Sequence, residues 1–367
     1  MVSKKILTLI LIFSTVGILF SASALAEITT NKESKVHEKV LESFEKDNKD
    51  EVKVIVQMEE TSKVQANSIR SQAIDAVGKG NVRHTFSSFN GFSATVTEEE
   101  LENLRQQQNV ARVSYDHPIQ AHLTDSVPLI NASTTWNLQP EGTNLTGKDQ
   151  TVCVIDSGVD YNHSDLGGEW GNKVIAGYRS LENENDQQNC SENHSACMDD
   201  YGHGTHVAGI VAADGDVKGV ARGANIAAVK AMNETGSGYS SDIMYGVEWC
   251  TNESERLNIS TMTLSLGLIN STTDEEILHE TYCDGEEDYG ALKEPIDQAV
   301  GKNITVSIAT GNAGNETAVG VPACMENATR VGATDDDDNI ADWTNGGSNN
   351  GGSNRWDREM LVAPGTS

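Results

Sequence analysis

The sequence predicts an α/β protein with a mainly parallel sheet, preceded by a small α+β domain. Two observations predict the larger unit. The apolar run Gln150–Ile155 suits a strand that is buried on both faces of a parallel sheet, and strand-like and helix-like segments alternate after it. Composition agrees, since 33 glycines and only 5% aromatic residues favour tight packing with many turns over an aromatic-lined ligand pocket.

The N-terminus predicts export. Lys4 and Lys5 precede the apolar run Ile6–Phe20, and Ala24-Leu25-Ala26 is a small-x-small cleavage site, so residues 1–26 form a secretory signal peptide. The alternative, a membrane anchor, is disfavoured because the apolar run is short and ends in small polar residues. We therefore expect a secreted protein with no membrane contact after signal removal.

Charge excludes two classes of partner. The formal net charge is −29, whereas binding to nucleic acids or anionic membranes requires basic patches. An acidic surface suits calcium or high salt, and composition does not choose between them. Asn-x-Ser/Thr glycosylation acceptors, such as those at Asn131 and Asn270, begin only after residue 130, which marks a compositional boundary near residue 125.

The cysteines indicate disulfides. The chain has 6 cysteines, and an even number in an exported chain favours pairing, although about 15 pairings are possible. Cys190 and Cys197 are close enough in sequence to close a small loop. The alternative is that these two cysteines and His194 bind a metal, but no fourth ligand is evident.

The first part of the chain predicts an antiparallel sheet with helices on one face. Thr97 followed by Glu100 is a capping box, which starts a helix. Residues 27–50 lack periodicity and predict a loose leader. The expected elements are strands at 52–58, 89–96 and 110–116 and helices at 68–77 and 97–107.

The remaining residues predict alternating strands and helices. Residues 117–148 read as a linker that contains one short helix, and two polar or acidic insertions interrupt the rest, at 181–198 and 269–290. The expected strands are 150–155, 224–232, 261–267 and 304–309, and the expected helices are 131–136, 205–213, 241–250 and 292–300.

Three motifs carry candidate chemistry. Asp156 follows a buried strand, where functional groups of parallel sheets collect. His203 lies between two glycines at the start of a helix, and an imidazole titrates near neutral pH. With His163–Leu166, residues 154–158 resemble the aspartate motif of the subtilisin-like serine proteases (subtilases), and residues 202–209 and 310–315 resemble the histidine and Ala-Gly-Asn motifs of that family in the same order.

The resemblance implies a subtilisin-like three-layer fold and a monomeric, secreted serine endopeptidase acting on polypeptides. It assigns His203 as the general base, Asp156 as its orienting carboxylate and Asn312 as an oxyanion donor, and the chemistry requires no cofactor. His206 is the rival base, and a metal held by both histidines lacks a suitably spaced carboxylate. The family's extended substrate cleft would have two edges, one formed by Gly236, Ser237 and Gly238 and the other by Ser265, Leu266 and Gly267.

The segment from Phe89–Ala94 to Val110–Val113 resembles the inhibitory propeptide that precedes subtilase domains. The alternative is an ordinary ferredoxin-like module. The resemblance implies an intramolecular inhibitor and folding aid, released by self-cleavage within His117–Ser126. The expected domains are the signal peptide 1–26, the propeptide 27–122, structured from about residue 50, and the peptidase domain 123–367.

The C-terminus predicts an incomplete peptidase domain. Gly365-Thr366-Ser367 is similar to the family's Gly-Thr-Ser-Met, but a nucleophile needs a following helix to supply a backbone N–H. Val362–Gly365 instead resembles the Ala-Pro-Gly turn that precedes the nucleophile segment. We therefore expect the catalytic serine beyond residue 367 and no activity in the chain as given. The alternative function is a non-catalytic secreted glycoprotein that uses the fold for binding.

Structural calcium is a further expectation. The family resemblance makes Asp165 a possible calcium ligand, yet the turn Asp214–Lys218 is shorter than the loop that normally completes that site. The acidic run Asp335–Asp338 reads as a solvated loop rather than a cation site.

Overall fold

The structure is a computed structural model. The predicted signal peptide, residues 1–26, and Ser367 lie outside the residues that it describes. Within the described ranges, no helix is both long and apolar enough to cross a bilayer. The described residues are 35–46, 49–59, 63–121, 130, 132–139, 142, 144–181, 187–335, 338–346 and 360–365.

The N-terminal domain is a four-stranded antiparallel sheet with strand order β2-β3-β1-β4. Side chains alternate across β1, so that Val54 and Val56 pack under the domain's own helices while Ile55 faces the second domain. The predicted capping box is present at Thr97 and Glu100. The elements are α1 (Glu38–Glu45), β1 (Glu51–Met58), α2 (Lys63–Val77), β2 (Val82–Thr85), β3 (Gly91–Thr97), α3 (Glu98–Gln106) and β4 (Val110–Tyr115).

Two expectations for this domain were wrong. The leader is structured before residue 50, because Val36, which bridges to Val113, and Val40 of α1 pack into the domain core. The apolar face of α1, with Val40, Leu41 and Phe44, extends over only 8 residues, so its periodicity is hard to recognise within a charged segment. The chain also forms the additional strand β2 before the turn at residues 86–90, which changes the order to β-α-β-β-α-β after α1.

The second domain is built on an eight-stranded sheet with order β17-β16-β14-β11-β6-β9-β7-β8, parallel except for the β7–β8 pair. The elements are β6 (Thr151–Asp156), β7 (Val174–Arg179), β8 (Gln188–Asn189), α5 (His203–Ala212), β9 (Asn225–Lys230), α6 (Ser240–Leu257), β11 (Ile259–Leu264), α7 (Lys293–Gly301), β14 (Thr305–Ala309), β16 (Thr329–Thr334) and β17 (Leu361–Pro364); a short helix, α4 (Ala132–Thr135), precedes them.

Both faces of this sheet are covered by helices. On β6, Cys153 and Ile155 pack with residues of α6 and α7, whereas Val154 packs with Val207 and Ala208 of α5. The buried run that predicted a parallel strand is therefore buried on both sides, and the three-layer α/β fold is confirmed.

The predicted strand 261–267 is interrupted at Ser265. Its first part, β11, belongs to the large sheet, and its second part joins a three-stranded antiparallel sheet of order β10-β5-β12. The middle strand of that sheet lies inside the region predicted to be a linker. The elements are β5 (Pro118–Ala121), β10 (Ser237–Tyr239) and β12 (Leu266–Leu268); a two-stranded sheet pairs β13 (Leu278–His279) with β15 (Val319–Gly320).

All 6 cysteines are paired, in 3 disulfides. The bond Cys190–Cys197 closes the small loop that the spacing suggested, so these residues are not metal ligands. His194 instead stacks on Trp170, with ring centroids 4.5 Å apart. The other pairs are Cys153–Cys250, which ties β6 to α6, and Cys283–Cys324.

The two domains meet through a buried ionic cluster at the start of α6. Asp116 accepts hydrogen bonds from the Ser241 backbone N–H (2.9 Å) and the Ser240 hydroxyl (2.8 Å), which caps this helix. Arg83 lies between Asp116 and Asp242, at 2.9 Å from a carboxylate oxygen of each. All these charges are desolvated, so each depends on its partner.

A second contact involves the acidic insertion 269–290. The His117 ring packs against Tyr115 and Tyr289, with centroids 4.9 and 5.2 Å apart. Neither of its ring nitrogens has a hydrogen-bond partner among the described residues, and the nearest Asp288 oxygen is 4.0 Å away. Burial lowers the pKa of His117 from 6.5 to about 4. His37 also contacts Asp288, and the hydrogen bond to that carboxylate raises the pKa of His37.

These shifts predict acid destabilisation through His117. Because the pKa of His117 is lower in the folded state, this histidine is protonated at a higher pH in the unfolded chain than in the folded one. The contribution of His117 to the free energy of unfolding is therefore complete above pH 6.5 and is lost as the pH falls towards 4. The shift corresponds to about 3 kcal/mol. His37 has the opposite sign, because its contribution is lost as the pH rises through its raised pKa. Urea unfolding should show that, between pH 7 and pH 4, the free energy of unfolding falls less for His117→Phe than for the wild type.

The matched control is His194→Phe, which replaces an exposed stacked histidine. It should reproduce the wild-type pH profile. Parallel profiles for the wild type and His117→Phe would refute the assignment.

Candidate active site

Two predicted residues meet at the carboxyl end of the sheet. Asp156 is the last residue of β6 and His203 is the first of α5, and their Oδ1 and Nδ1 atoms are hydrogen-bonded at 2.8 Å. Asp156 is fully buried, and the His203 side chain is 12% exposed. Burial raises the pKa of Asp156, and the hydrogen bond to His203 opposes that rise. The carboxylate therefore holds the imidazole in one orientation at the edge of solvent.

The two glycines beside His203 have different structural roles. A Cβ on Gly204 would lie 2.1 Å from the carbonyl oxygen of Gly158 and 3.1 Å from Asp156, so only glycine permits this close approach. Gly202 has φ +102° at the helix N-cap, a left-handed conformation that side chains disfavour. The sequence around the imidazole is thus explained by packing and backbone conformation.

A second carboxylate holds the start of α5. Asp199 accepts hydrogen bonds from the backbone N–H groups of Thr205 (2.8 Å) and Gly202 (2.8 Å). It also accepts one from the Ser157 hydroxyl at 2.9 Å, and the same hydroxyl accepts from the Gly204 N–H. Although burial acts against the charged form, the Thr205 hydroxyl, which also donates to this carboxylate, and these other donors hold the pKa of Asp199 below its ordinary value. The turn after Asp156 and the helix that begins at His203 are therefore locked together.

Lys230 is a supporting residue that the sequence did not reveal. Its side chain is buried at the end of β9 and donates to the Ser157 carbonyl (2.6 Å) and to Asp200 (2.5 Å). A lysine within an otherwise apolar predicted strand was the available signal.

Asn312 lies on the turn after β14. It lines a cavity of ≈ 270 Å³ together with Ser265 and with Val207 and Val211 of α5. The predicted oxyanion residue and the helix that begins at His203 thus border one space.

The residues predicted to form the two cleft edges lie on or next to two strands that flank β5. Ser237 and Gly238 lie in β10, with Gly236 just before it, and Leu266 and Gly267 lie in β12. Between these strands β5 is antiparallel to both, with Gln120 opposite both Ser237 and Gly267. An extended segment of the N-terminal region therefore occupies the cleft as an added strand.

Comparison with known proteins identifies the family of this chain. The subtilase family of peptidases matches residues 147–367, and the peptidase inhibitor I9 family matches residues 21–122. The chain belongs to the subtilase family. It is a serine peptidase of that family, with an N-terminal inhibitor-type domain.

Individual relatives support this assignment of the subtilase. The chain is 32% identical to subtilisin E of Bacillus subtilis, over 81% of this chain and 70% of that protein. It is 30% identical to the serine protease AprX of the same species, over 87% and 69%. A crystal structure of an epidermin leader peptide processing serine protease from Staphylococcus aureus shares the fold, with TM-score 0.60 and 17% identity over 81% of this chain and 73% of that one.

His206, the rival base, is exposed on the surface of α5, and the contact with Asp156 is made by His203. No cluster of three or more potential metal-ligating side chains occurs in the described part of this subtilase. The ends of the acidic run, Asp335 and Asp338, are joined by a backbone hydrogen bond of 3.2 Å.

The surroundings of Asp165 do not fit a calcium site. Its carboxylate oxygens accept hydrogen bonds from the backbone N–H groups of Asp216 (2.9 Å) and Val217 (3.1 Å). Calcium requires converging oxygen ligands, whereas this turn presents N–H donors to both oxygens. These hydrogen bonds lower the pKa of Asp165. A Cβ on Gly215 would lie 1.9 Å from the carboxylate, so the short turn closes directly over it.

We therefore expect the turn 214–218 to be stabilised by Asp165 rather than by calcium. Excess EDTA should leave the melting temperature of the protein unchanged, whereas Asp165→Ala should lower it because the two N–H donors lose their acceptor. Glu169→Ala, which removes an exposed carboxylate nearby, is the control and should melt like the wild type. A melting temperature that falls with EDTA and recovers with added Ca²⁺ would contradict this prediction.

Proposed function

We propose that this chain is the precursor of a secreted subtilisin-type endopeptidase that cleaves its own propeptide. The observation that carries the proposal is the strand β5, which lies in the cleft between β10 and β12 while the Asp156–His203 pair stands at the end of β6. A polypeptide held by main-chain hydrogen bonds on both sides is the geometry that an endopeptidase requires of its substrate.

The proposed mechanism is acyl transfer to an activated serine hydroxyl. With Nδ1 of His203 engaged by Asp156, Nε2 is the nitrogen that exchanges a proton with the nucleophile and then with the leaving amine. The buried carboxylate fixes the tautomer and stabilises the imidazolium that forms. No serine among the described residues is proposed as the nucleophile.

Asn312 is the proposed oxyanion donor. Such a donor stabilises charge that develops only in the transition state, so it should affect kcat more than KM. Loss of one donor costs about 10²–10³ in kcat, a value measured for subtilisin, a relative of this chain. The edges 236–238 and 265–267 bind the substrate backbone.

The N-terminal domain is the proposed inhibitor of the enzyme. It buries Ile55 and Phe86 against the helices of the peptidase domain, and the strand β5 that follows it lies between β10 and β12. Since the last residue of β5 is Ala121 and the inhibitor-family match ends at residue 122, we place the cleaved bond between His122 and Leu123. This lies within the predicted interval 117–126.

Secretion is supported by sequence and by covalent structure. The signal-peptide pattern of residues 1–26 predicts export, and the 3 disulfides suit an oxidising compartment. We propose a monomer that acts on extracellular polypeptides and requires no cofactor for the chemistry. The activity is proposed for the full-length protein.

The central test is His203→Ala in the full-length protein. Removing the base should abolish propeptide release, because loss of a triad histidine lowers kcat by roughly 10⁶ in subtilisin. His206→Ala is the matched control, since it removes an exposed imidazole from the same helix and should process normally. Gel mobility and N-terminal sequencing report processing, and the wild type should yield a new N-terminus at Leu123.

Normal release in His203→Ala would exclude this histidine as the base. A wild type that folds, is exported and neither processes itself nor cleaves peptides would instead support the alternative, a non-catalytic binding glycoprotein.

A further inference from the structure

The acidic insertion 269–290 reaches the proposed oxyanion turn through Glu276. One oxygen of its carboxylate, Oε1, accepts a hydrogen bond from the Asn312 backbone N–H at 2.7 Å. The other, Oε2, accepts from the side-chain amide of Asn345 at 2.6 Å. Both oxygens are thus engaged by groups on or behind the turn.

Asn345 connects this carboxylate to the rest of the turn. It is fully buried, its amide also donates to the Thr310 carbonyl (3.1 Å), and its Oδ1 accepts from the Asn315 N–H (3.0 Å). Its backbone N–H donates to the Gly311 carbonyl at 3.1 Å. Glu276 and Asn345 together therefore bind the turn 310–315 at four backbone positions.

The turn is also held on either side of Asn312, where Gly314 N–H donates to the Trp343 carbonyl (2.8 Å) and Gly346 N–H donates to the Asn315 carbonyl (2.7 Å). Gly311 and Gly314 have φ of +101° and +65°, and Asn312 itself is exposed. A Cβ on Gly311 would lie 2.3 Å from Glu276 Oε2 and 2.4 Å from Asn345 Nδ2, so the pair packs directly on the turn backbone. Hydrogen bonds to a charged acceptor are stronger than neutral ones, which makes the carboxylate an effective anchor.

Glu276 is presented by a fixed segment of the insertion. The next residue, Ile277, donates its N–H to the Leu268 carbonyl (3.0 Å) and accepts from the Val321 N–H (3.1 Å). Beyond it, β13 pairs with β15, and the disulfide Cys283–Cys324 ties the insertion to the segment after β15. The carboxylate is thus anchored to both the cleft edge β12 and the region behind the oxyanion turn.

We propose that Glu276 is a positioning residue for catalysis, which holds the Asn312 turn in the geometry that oxyanion stabilisation requires. This inference rests on the proposed function of Asn312. It follows because an oxyanion donor must be held within about 0.5 Å of its productive position, and Glu276 fixes the main chain at that residue. Glu276 acts on the turn and not on the substrate.

The test compares Glu276→Ala, Glu276→Gln and Glu275→Ala in the full-length protein. Glu276→Ala should lower kcat about ten- to a hundredfold with little change in KM, because a displaced donor loses only transition-state binding. Glu276→Gln keeps one acceptor oxygen but meets Asn345 with an amide, so its kcat should be intermediate. Glu275→Ala removes the same charge from an exposed neighbour and should retain wild-type kcat.

Amide hydrogen exchange provides a readout that does not depend on turnover. Exchange of the Asn312 N–H should rise about tenfold or more in Glu276→Ala, less in Glu276→Gln, and not at all in Glu275→Ala. If the alanine variant does not fold, the glutamine variant decides by the same two measurements.

The outcomes distinguish a failure of the proposed function from a failure of the proposed role of Glu276. A wild type without peptidase activity would refute the proposed function and this inference together. An active wild type with unchanged kcat in both Glu276 variants, or with a change in KM alone, would refute only the role of Glu276. Unchanged exchange at Asn312 in both variants would also overturn it.

Discussion

The site depends on one contact, the hydrogen bond between the buried Asp156 and His203. A carboxylate with no solvent access needs a fixed donor, and the imidazole at the start of α5 provides it. The contact is possible only because Gly204 lets the helix approach the Gly158 carbonyl. Asp199 and Lys230 then hold the two chain segments that carry the pair. The local sequence is thus governed by how closely a helix can approach the end of a strand.

The interface between the two domains is polar at the ionic cluster that aligns one domain with the other. Replacing buried ion pairs by apolar residues is often neutral for stability, so the cluster of Arg83, Asp116 and Asp242 is better explained by geometry than by strength. Asp116 caps α6, which directly follows β10, and it lies just before β5. One carboxylate therefore fixes where β5 begins beside β10. The apolar contacts of Ile55 and Phe86 supply burial, which is not directional.

Sequence patterns identified elements best where burial is regular. Three features appear as predicted: the alternation in β1, the capping box at Thr97 and the apolar run of β6. The pattern of apolar residues in a strand shows whether one or both of its faces are buried. Prediction failed for α1, β2, β5 and the break at Ser265. The helix α1 is only 8 residues long, and β2 is a four-residue edge strand. The strand β5 and the break at Ser265 depend on pairing between segments that are distant in sequence.

The sequence by itself determined the α/β class, the order of the motifs and the candidates Asp156, His203 and Asn312. The class follows from local residue patterns, and the candidates follow from the resemblance of the three motifs to those of the subtilases. Only the tertiary structure decided the cysteine pairing, the seating of β5 in the cleft and the contacts made by Lys230, Asp165 and Glu276. The physical reason is that a polar side chain's role depends on which donors and acceptors surround it. Those partners come from segments that only folding brings together.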